Sequence, residues 1–210
     1  LKTAGIILAG GQSRRMKGSD KALLPFGNGR LIDHVHARLA RQLPIVALNT
    51  NSDSSDFHDL GSPVIRDDIP GYAGPLAGIL AGMEWAAKQS GAFSHIMTVA
   101  IDTPFFPEDV YEQLSRQVEG TPEVIAIASS VGRLHPVFGL WPISSRRELR
   151  QWLANDQNRI VMKWIESHPH CSFEFPLTKT QKGQPTDPFF NINTQDDILE
   201  ARERWTGSYD

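Results

Sequence analysis

Gly5-Ile6-Ile7-Leu8-Ala9-Gly10-Gly11-Gln12-Ser13-Arg14-Arg15-Met16, closing a few residues later with Asp20-Lys21, is the stretch that decides the fold. An apolar run about one strand long stops at two glycines. A polar, arginine-rich loop follows and a lysine ends it. Glycines let backbone N–H groups come close to an anion. Arg14, Arg15 and Lys21 add the charge that phosphate oxygens attract. The loop is neither G-x-x-x-x-G-K-[ST] nor G-x-G-x-x-G, the two common phosphate-cradling motifs. A strand feeding a phosphate loop of this third kind points to an α/β protein that handles nucleotides. The bland alternative is a strand-to-helix turn carrying solvated cations.

Working outward, apolar runs alternate with helical periodicities, which predicts a mostly parallel sheet covered on both faces. Gly5 to Ala9 is the first strand. Ile32, Val35, Leu39 and Leu43 recur at helical spacing over residues 31 to 43, and Pro44 ends that helix. Ile45 to Leu48, Val64-Ile65 and Ile96 to Ile101 read as further strands. A helix follows the Pro70 to Pro75 loop, and another is expected to open at Pro107. Val124 to Ala128 and Val137 to Trp141 are two more strands, with His135-Pro136 preceding the second. Helices follow after Ser144 or Ser145 and over 159 to 167. Residues 178 to 188 are polar and read as a mobile surface loop. Phe189 to Ile192 reads as a last short strand before a helix begun by Thr194. The expectation is one domain over residues 1–210, a three-layer αβα sandwich that is Rossmann-like in its first half.

Composition fits that picture. The 210 residues suffice for one sizeable core, and 40% hydrophobic with 21% charged residues is ordinary for a globular protein. The net charge of −3 argues against a broad nucleic-acid surface. The single cysteine, Cys171, permits no internal disulfide and no thiolate zinc site. No apolar stretch nears the ~20 residues of a membrane span, and no signal peptide is read ahead of the first strand. The expected compartment is the cytoplasm, with no membrane partner.

Ligands of open α/β sheets sit beyond the carboxyl ends of the strands. Gly10, Asn49, Asp67 and Asp102 all fall at such ends, so one shared site is expected there. A carboxylate ending a buried strand needs pairing, capping or a metal. Asp102, in Asp102-Thr103-Pro104, is thus a turn cap or a Mg²⁺ ligand, and spacing alone leaves both open. Asp67 and Asn49 are nucleotide contacts or turn residues on the same terms. His135 is a structural histidine or a ligand contact. Asn191 and Asn193 flank Ile192 at strand spacing, which would face them to one side; they complete the site or cap the last helix.

The opening stretch resembles the L-A-G-G-x-S-x-R-M-G-x-D-K signature of the molybdenum cofactor guanylyltransferases, the MobA family. Gly74-Pro75-Leu76-Ala77-Gly78, Asp102-Thr103-Pro104, His135-Pro136-Val137 and Asn191-Ile192-Asn193-Thr194 extend the likeness over nearly the whole chain. Lys17 departs from it, standing where the family has glycine after Arg-Met, with Gly18 following at once. The resemblance implies that GMP passes from GTP to the terminal phosphate of Mo-molybdopterin, with pyrophosphate released. It implies GTP contacts from Leu8, Ala9, Gly10, Gly11, Lys21, Asn49, Asp67 and Asp102. Asp102 would hold Mg²⁺, and Arg15, Lys21 and Asp102 would be the catalytic set. His135, Asn191 and Asn193 would meet the pterin. Molybdenum-insertion proteins and apo-molybdoenzymes would be partners by the same analogy.

The chemistry asks for no general base. A phosphate monoester, with its second pKa at about 6, is already largely dianionic at neutral pH. What it needs is charge neutralisation and alignment. Three rivals stand beside this reading. A molybdopterin cytidylyltransferase would carry Leu-Ala-Ala-Gly where this chain has Leu8-Ala9-Gly10-Gly11, and a glycine at position 10 leaves room for a larger base. Sugar-phosphate nucleotidyltransferases share a similar opening loop. A non-catalytic GTP-binding regulator would have less need of Asp102 together with Lys21.

Overall fold

The computed structural model describes residues 1–10, 20–69, 74–155, 159–180 and 183–205. Its centre is a seven-stranded sheet built from β1 (Thr3–Leu8), β4 (Val46–Asn49), β5 (Val64–Ile65), β6 (His95–Ala100), β7 (Ile125–Ser130), β8 (Arg133–Pro142) and β9 (His170–Glu174), in the order β5-β4-β1-β6-β8-β7-β9. Every pairing is parallel except those of β8, which runs antiparallel to both β6 and β7. Two short ribbons stand apart, β2 (Pro25–Phe26) with β3 (Gly29–Arg30), and β10 (Thr178–Lys179) with β11 (Pro185–Thr186).

The period-two alternation of the strands produces the layers. In β1, Ile7 faces the cluster built with Ile32, Val35, Leu39 and Leu114, under α1 (Leu31–Ala40) and α3 (Val110–Gln117). Ala4, Ile6 and Leu8 face the opposite cluster, with Leu76, Ile79, Leu80, Leu149 and Trp164 from α2 (Pro75–Lys88), α4 (Arg146–Asn155) and α5 (Val161–Glu166). The expected three-layer α/β sandwich is therefore what the chain forms. Within the sheet, the buried Trp141 indole donates to Thr98 Oγ1 at 2.8 Å, and that hydroxyl donates to Val137 O at 2.6 Å. A third, smaller cluster of Phe26, Leu31, Ile192, Ile198 and Ala201 seats α6 (Gln195–Arg204) on the β2–β3 ribbon.

Several local expectations need correction. Phe189 to Ile192 is not a strand; its aromatic and branched residues serve as side-chain plugs, Phe189 at 3% and Ile192 at 1% exposure. The 178 to 188 segment contains the β10–β11 hairpin rather than a structureless loop, though residues 181–182 lie outside the described ones. Pro107 precedes its helix by a turn: Val110 N donates to Pro107 O, and α3 starts at Val110. His135 lies inside β8, not ahead of it. The Pro136 that seemed to delay the strand is absorbed where the β7–β8 register shifts, as proline in a sheet requires. Cys171 is half-buried in β9, and burial pushes its thiol upward, away from thiolate chemistry. Among the described residues no helix is long and apolar enough to cross a membrane.

Two glycines of α2, Gly78 and Gly82, face the sheet with no room for a side chain. A Cβ on Gly82 would come within 2.8 Å of Ile6 Cγ1, and one on Gly78 within 2.3 Å of Asn49 Oδ1 and 2.8 Å of Leu8 Cδ2. An alanine gains up to about 1 kcal/mol in helix propensity over glycine. Overpacking a tight contact costs about 1–3 kcal/mol, and at Gly78 the obstacle is a buried side chain tied at its other end. Gly78→Ala should therefore lower stability, by about 1 kcal/mol net, and displace Asn49. Urea unfolding checks it; a midpoint at or above wild type would show that the helix shifts freely.

Candidate active site

Register places the site. Leu8, the last residue of β1, pairs with Asn49 on one side and Ala100 on the other, and Asn49 pairs with Ile65. The four strands thus end on one line. Two residues beyond that line, on successive strands, stand Asp67, Asn51, Gly10 and Asp102. The parallel ladder runs one step past the strands, with Ala9 N donating to Asn49 O at 2.9 Å and Ile101 N to Leu8 O at 3.1 Å.

At one end of this row, the buried Asn49 side chain donates from Nδ2 to Asp67 Oδ1 at 2.9 Å, and Asn51 Nδ2 donates to Asp67 Oδ2 at 3.2 Å. Asp67 N returns a bond to Asn51 Oδ1. Asn49 and Asp67 are therefore one unit. Gly10 lies beside it: the position of its absent Cβ is 3.8 Å from Asn49 Oδ1, with no other side-chain or backbone neighbour within contact range among the described residues. Among the described residues the space over Gly10 is open, whereas Gly78 is tightly packed.

At the other end, Lys21 begins a 3₁₀ turn over Lys21–Leu23. Its ammonium lies 3.3 Å from Asp102 Oδ2 and 3.4 Å from Asn193 Oδ1. Lys21 and Asp102 keep 17% and 25% side-chain exposure, so the pair is accessible to a ligand and screened only in part. Asp197 Oδ2 accepts from Asn193 N and Thr194 N, each at 2.7 Å. Those bonds, that from Asn193 first, hold the Asp197 carboxyl below the usual carboxylate range and fix the backbone that carries Asn193. Asn191 is used differently. Its Oδ1 accepts from the buried Thr103 hydroxyl, while Ile192 N donates to Asp102 O at 2.8 Å. Asn191 and Asn193 are thus not two residues of one strand face. One locks the segment down and the other reaches Lys21.

Asp20 and Ser52 join the two ends. Asp20 Oδ1 accepts from Ala22 N at 2.9 Å, capping the turn that presents Lys21, and its Oδ2 accepts from Ser52 Oγ just past Asn51. His135 meets the segment that carries Asn191 and Asn193 through Phe189. It stacks on Phe189 with ring centroids 4.4 Å apart, and its Nε2 lies 2.7 Å from Ser130 Oγ. Burial pushes its imidazole below the ordinary histidine value, which favours the neutral ring. Sequence reasoning does not single out Asn51, Ser52, Ser130 or Asp187, and it quotes Asp20 only as the end of the phosphate loop, with no role of its own. For Asn51 a signal exists, since Asn49 and Asn51 share a two-residue spacing. Gly11 and Arg15 lie outside the described residues.

Comparison with known proteins follows the same lines. Residues 5–171 match the family model of the MobA-like NTP transferase domain. A molybdenum cofactor guanylyltransferase of Mesorhizobium japonicum is 46% identical over 198 residues, 94% of this chain and 93% of that protein. One of Rhizobium johnstonii is 45% identical, covering 96% and 92% respectively. Among solved structures, molybdopterin-guanine dinucleotide biosynthesis protein A of Archaeoglobus fulgidus superposes with a TM-score of 0.72 at 23% identity, covering 95% of this chain and 97% of that one. A CMP:2-keto-3-deoxy-manno-octonic acid synthetase complexed with CTP shares the fold at TM-score 0.69 and 13% identity, over 96% of this chain and 97% of that one.

Proposed function

Because the chain belongs to the molybdenum cofactor guanylyltransferases of the MobA-like NTP transferases, we infer that it moves GMP from GTP onto the terminal phosphate of Mo-molybdopterin, releasing pyrophosphate. The observation that carries the residue assignment is the single row at the strand ends. It sets a hydrogen-bonding unit, Asn49 with Asp67, beside open space at Gly10, and a lysine–carboxylate pair a short way along. In this reading Leu8, Ala9 and Gly10 form the floor under the nucleoside, Asn49 and Asp67 contact it, and Lys21 takes the triphosphate. Gly11 and Arg15 join the phosphate loop by their family positions. Asn193 and His135 belong to the acceptor side, and Asn191 holds that side in place. The seven-stranded sheet with both helical layers, together with α6 seated on the β2–β3 ribbon, supports treating residues 1–210 as one nucleotidyltransferase domain.

Nucleotidyl transfer of this family suggests a divalent metal, and Mg²⁺ fits the donors. Among the described residues no group of three or more acidic, histidine or cysteine side chains stands ready as a closed metal cage. What stands ready is one accessible carboxylate, Asp102, with the amide oxygen of Asn193 nearby. Mg²⁺ characteristically takes one or two carboxylates and fills the rest of its shell with phosphate oxygens and water. When bound, it would neutralise charge on the α-phosphate. The protein's own part is alignment. Lys21 offsets the negative charge of two phosphate-bearing substrates, and the clasp of Asp20 on Ser52 keeps that lysine at a fixed distance from the Asn49 end. No nucleophile–base pair is required, since the acceptor phosphate brings its own charge. By analogy with the family, molybdenum-insertion proteins and apo-molybdoenzymes would exchange cofactor with this chain.

Calorimetric binding of GTP, CTP and ATP with Mg²⁺ tests the nucleotide assignment. Wild type should prefer GTP. Gly10 is not in the left-handed region and its Cβ space is open, so Gly10→Ala should fold normally. The added methyl should nonetheless cost GTP about tenfold in affinity, or ~1.4 kcal/mol, and spare CTP. Indifference of wild type among the three nucleotides would overturn the guanine reading.

A further inference from the structure

We propose that Ser130 and Asp187 fix the tautomer of His135 so that its Nδ1 is a hydrogen-bond acceptor, and that this atom receives an N–H group of the pterin. The inference rests on the guanylyltransferase reading and deepens its acceptor side.

The number of available protons sets the tautomer. Ser130 is fully buried at the end of β7 and has one hydroxyl hydrogen. Its Oγ lies 2.7 Å from Asp187 Oδ1 and 2.7 Å from His135 Nε2. A carboxylate has no proton to give, so the hydroxyl donates to Asp187. The same serine oxygen can then only accept from the imidazole. Nε2 therefore carries the hydrogen, and in the neutral ring Nδ1 does not. Asp187 is itself held, because Oδ1 also accepts from Phe189 N at 2.9 Å. The relay is directional from the histidine to the carboxylate.

The acceptor atom is left available. His135 is only partly buried, and among the described residues no hydrogen bond reaches its Nδ1. Its surroundings tie it to the reaction centre. The ring stacks on Phe189 with planes inclined by 19°, two residues before the Asn191 that is locked to Thr103 and four before the Asn193 that meets Lys21. The Asp187-to-Asn193 segment thus links the imidazole to the Asp102 end of the row. A pterin carries ring N–H and amino donors, which an unprotonated nitrogen complements. Phosphate carries only acceptors when fully ionised, so His135 in this tautomer discriminates against a phosphate and for the heterocycle.

The test has two arms. Long-range ¹H–¹⁵N spectra of protein labelled in histidine, with His135 assigned by its loss in His135→Phe, should show an Nε2–H tautomer. In Ser130→Ala the Nε2–H form should lose its exclusive hold and fall back to the tautomer mixture of a free histidine side chain. Steady-state kinetics with GTP and Mo-molybdopterin should show KM for the pterin raised about tenfold in His135→Phe, which keeps the stacking on Phe189 and loses the acceptor, with KM for GTP within about twofold. An Nδ1–H tautomer in wild type overturns the proposal, as does an unchanged pterin KM in His135→Phe of an active enzyme. A folded wild type that makes no dinucleotide at all defeats instead the guanylyltransferase reading on which the choice of ligand stands.

Discussion

Asp102→Ala should abolish guanylyl transfer while leaving the protein folded. The residue stands just past the end of β6, and its side-chain contacts among the described residues are Lys21 Nζ and the Thr103 hydroxyl, each at 3.3 Å. With a quarter of the side chain exposed, an ion pair of this kind contributes no more than about 1 kcal/mol to stability. The Thr103 hydroxyl keeps Asn191 as a partner, so truncation strands no buried donor. Catalysis depends on the carboxylate differently. If Asp102 holds the metal as proposed, its removal should cost at least about 10³-fold in kcat, ~4 kcal/mol, because preorganised charge is worth most where charge develops. Asp102→Asn keeps the shape and loses the charge, and should fall almost as far. Turnover within about tenfold of wild type in a folded Asp102→Ala protein would remove the carboxylate from the chemistry.

Lys21→Ala should weaken GTP binding about 100-fold, or ~2.7 kcal/mol, since one or two charge-assisted hydrogen bonds to phosphate are lost. The loss should shrink as salt rises, because part of it is Coulombic and screened. Two structural points make the lysine hard to replace. It sits at the first position of a capped turn whose N-cap, Asp20, is clasped by Ser52, so its starting point is fixed. It also balances the Asp102 charge, which truncation leaves facing an incoming triphosphate without this counter-ion. Lys21→Arg should recover only part of the affinity, because a planar fork does not reproduce a compact ammonium reaching both Asp102 and Asn193. Equal GTP affinity in wild type and Lys21→Ala would place the lysine outside the nucleotide site.

Much of this is legible in the sequence, for a definite physical reason. Strand ends are marked by the change from apolar run to polar or glycine residues, and in a parallel sheet those ends carry the ligand. Gly10, Asn49, Asp67 and Asp102 each stand at such a mark, and the register does align them. The layers follow from alternation, as the opposite facing of Ile6 and Ile7 shows. The departures cluster in the last quarter of the chain. Phe189 to Ile192 has strong β-propensity, yet propensity describes side chains that fit a half-buried surface, and here the fit is to Phe138, Phe175 and His135 rather than to a neighbouring strand. Asp187 and Ser130 stand 57 residues apart with no periodicity between them, so nothing local could join them to His135. The Asp20–Ser52 clasp is hidden for the same reason, although Asp20 closes the phosphate loop itself. Asn191 and Asn193 stand out as a pair, but the geometry differs from the one their spacing implies: a common face was expected, and packing gives them separate partners.

The most direct test of guanylyl transfer is a single-turnover assay with α-³²P-GTP, Mg²⁺ and Mo-molybdopterin, following the label and the released pyrophosphate together. Label should appear in a molybdopterin guanine dinucleotide, with one pyrophosphate for each GMP transferred, and neither product should form when the pterin is omitted. Tight GTP binding with no transfer and no pyrophosphate would contradict this and leave a regulator built on a nucleotidyltransferase fold.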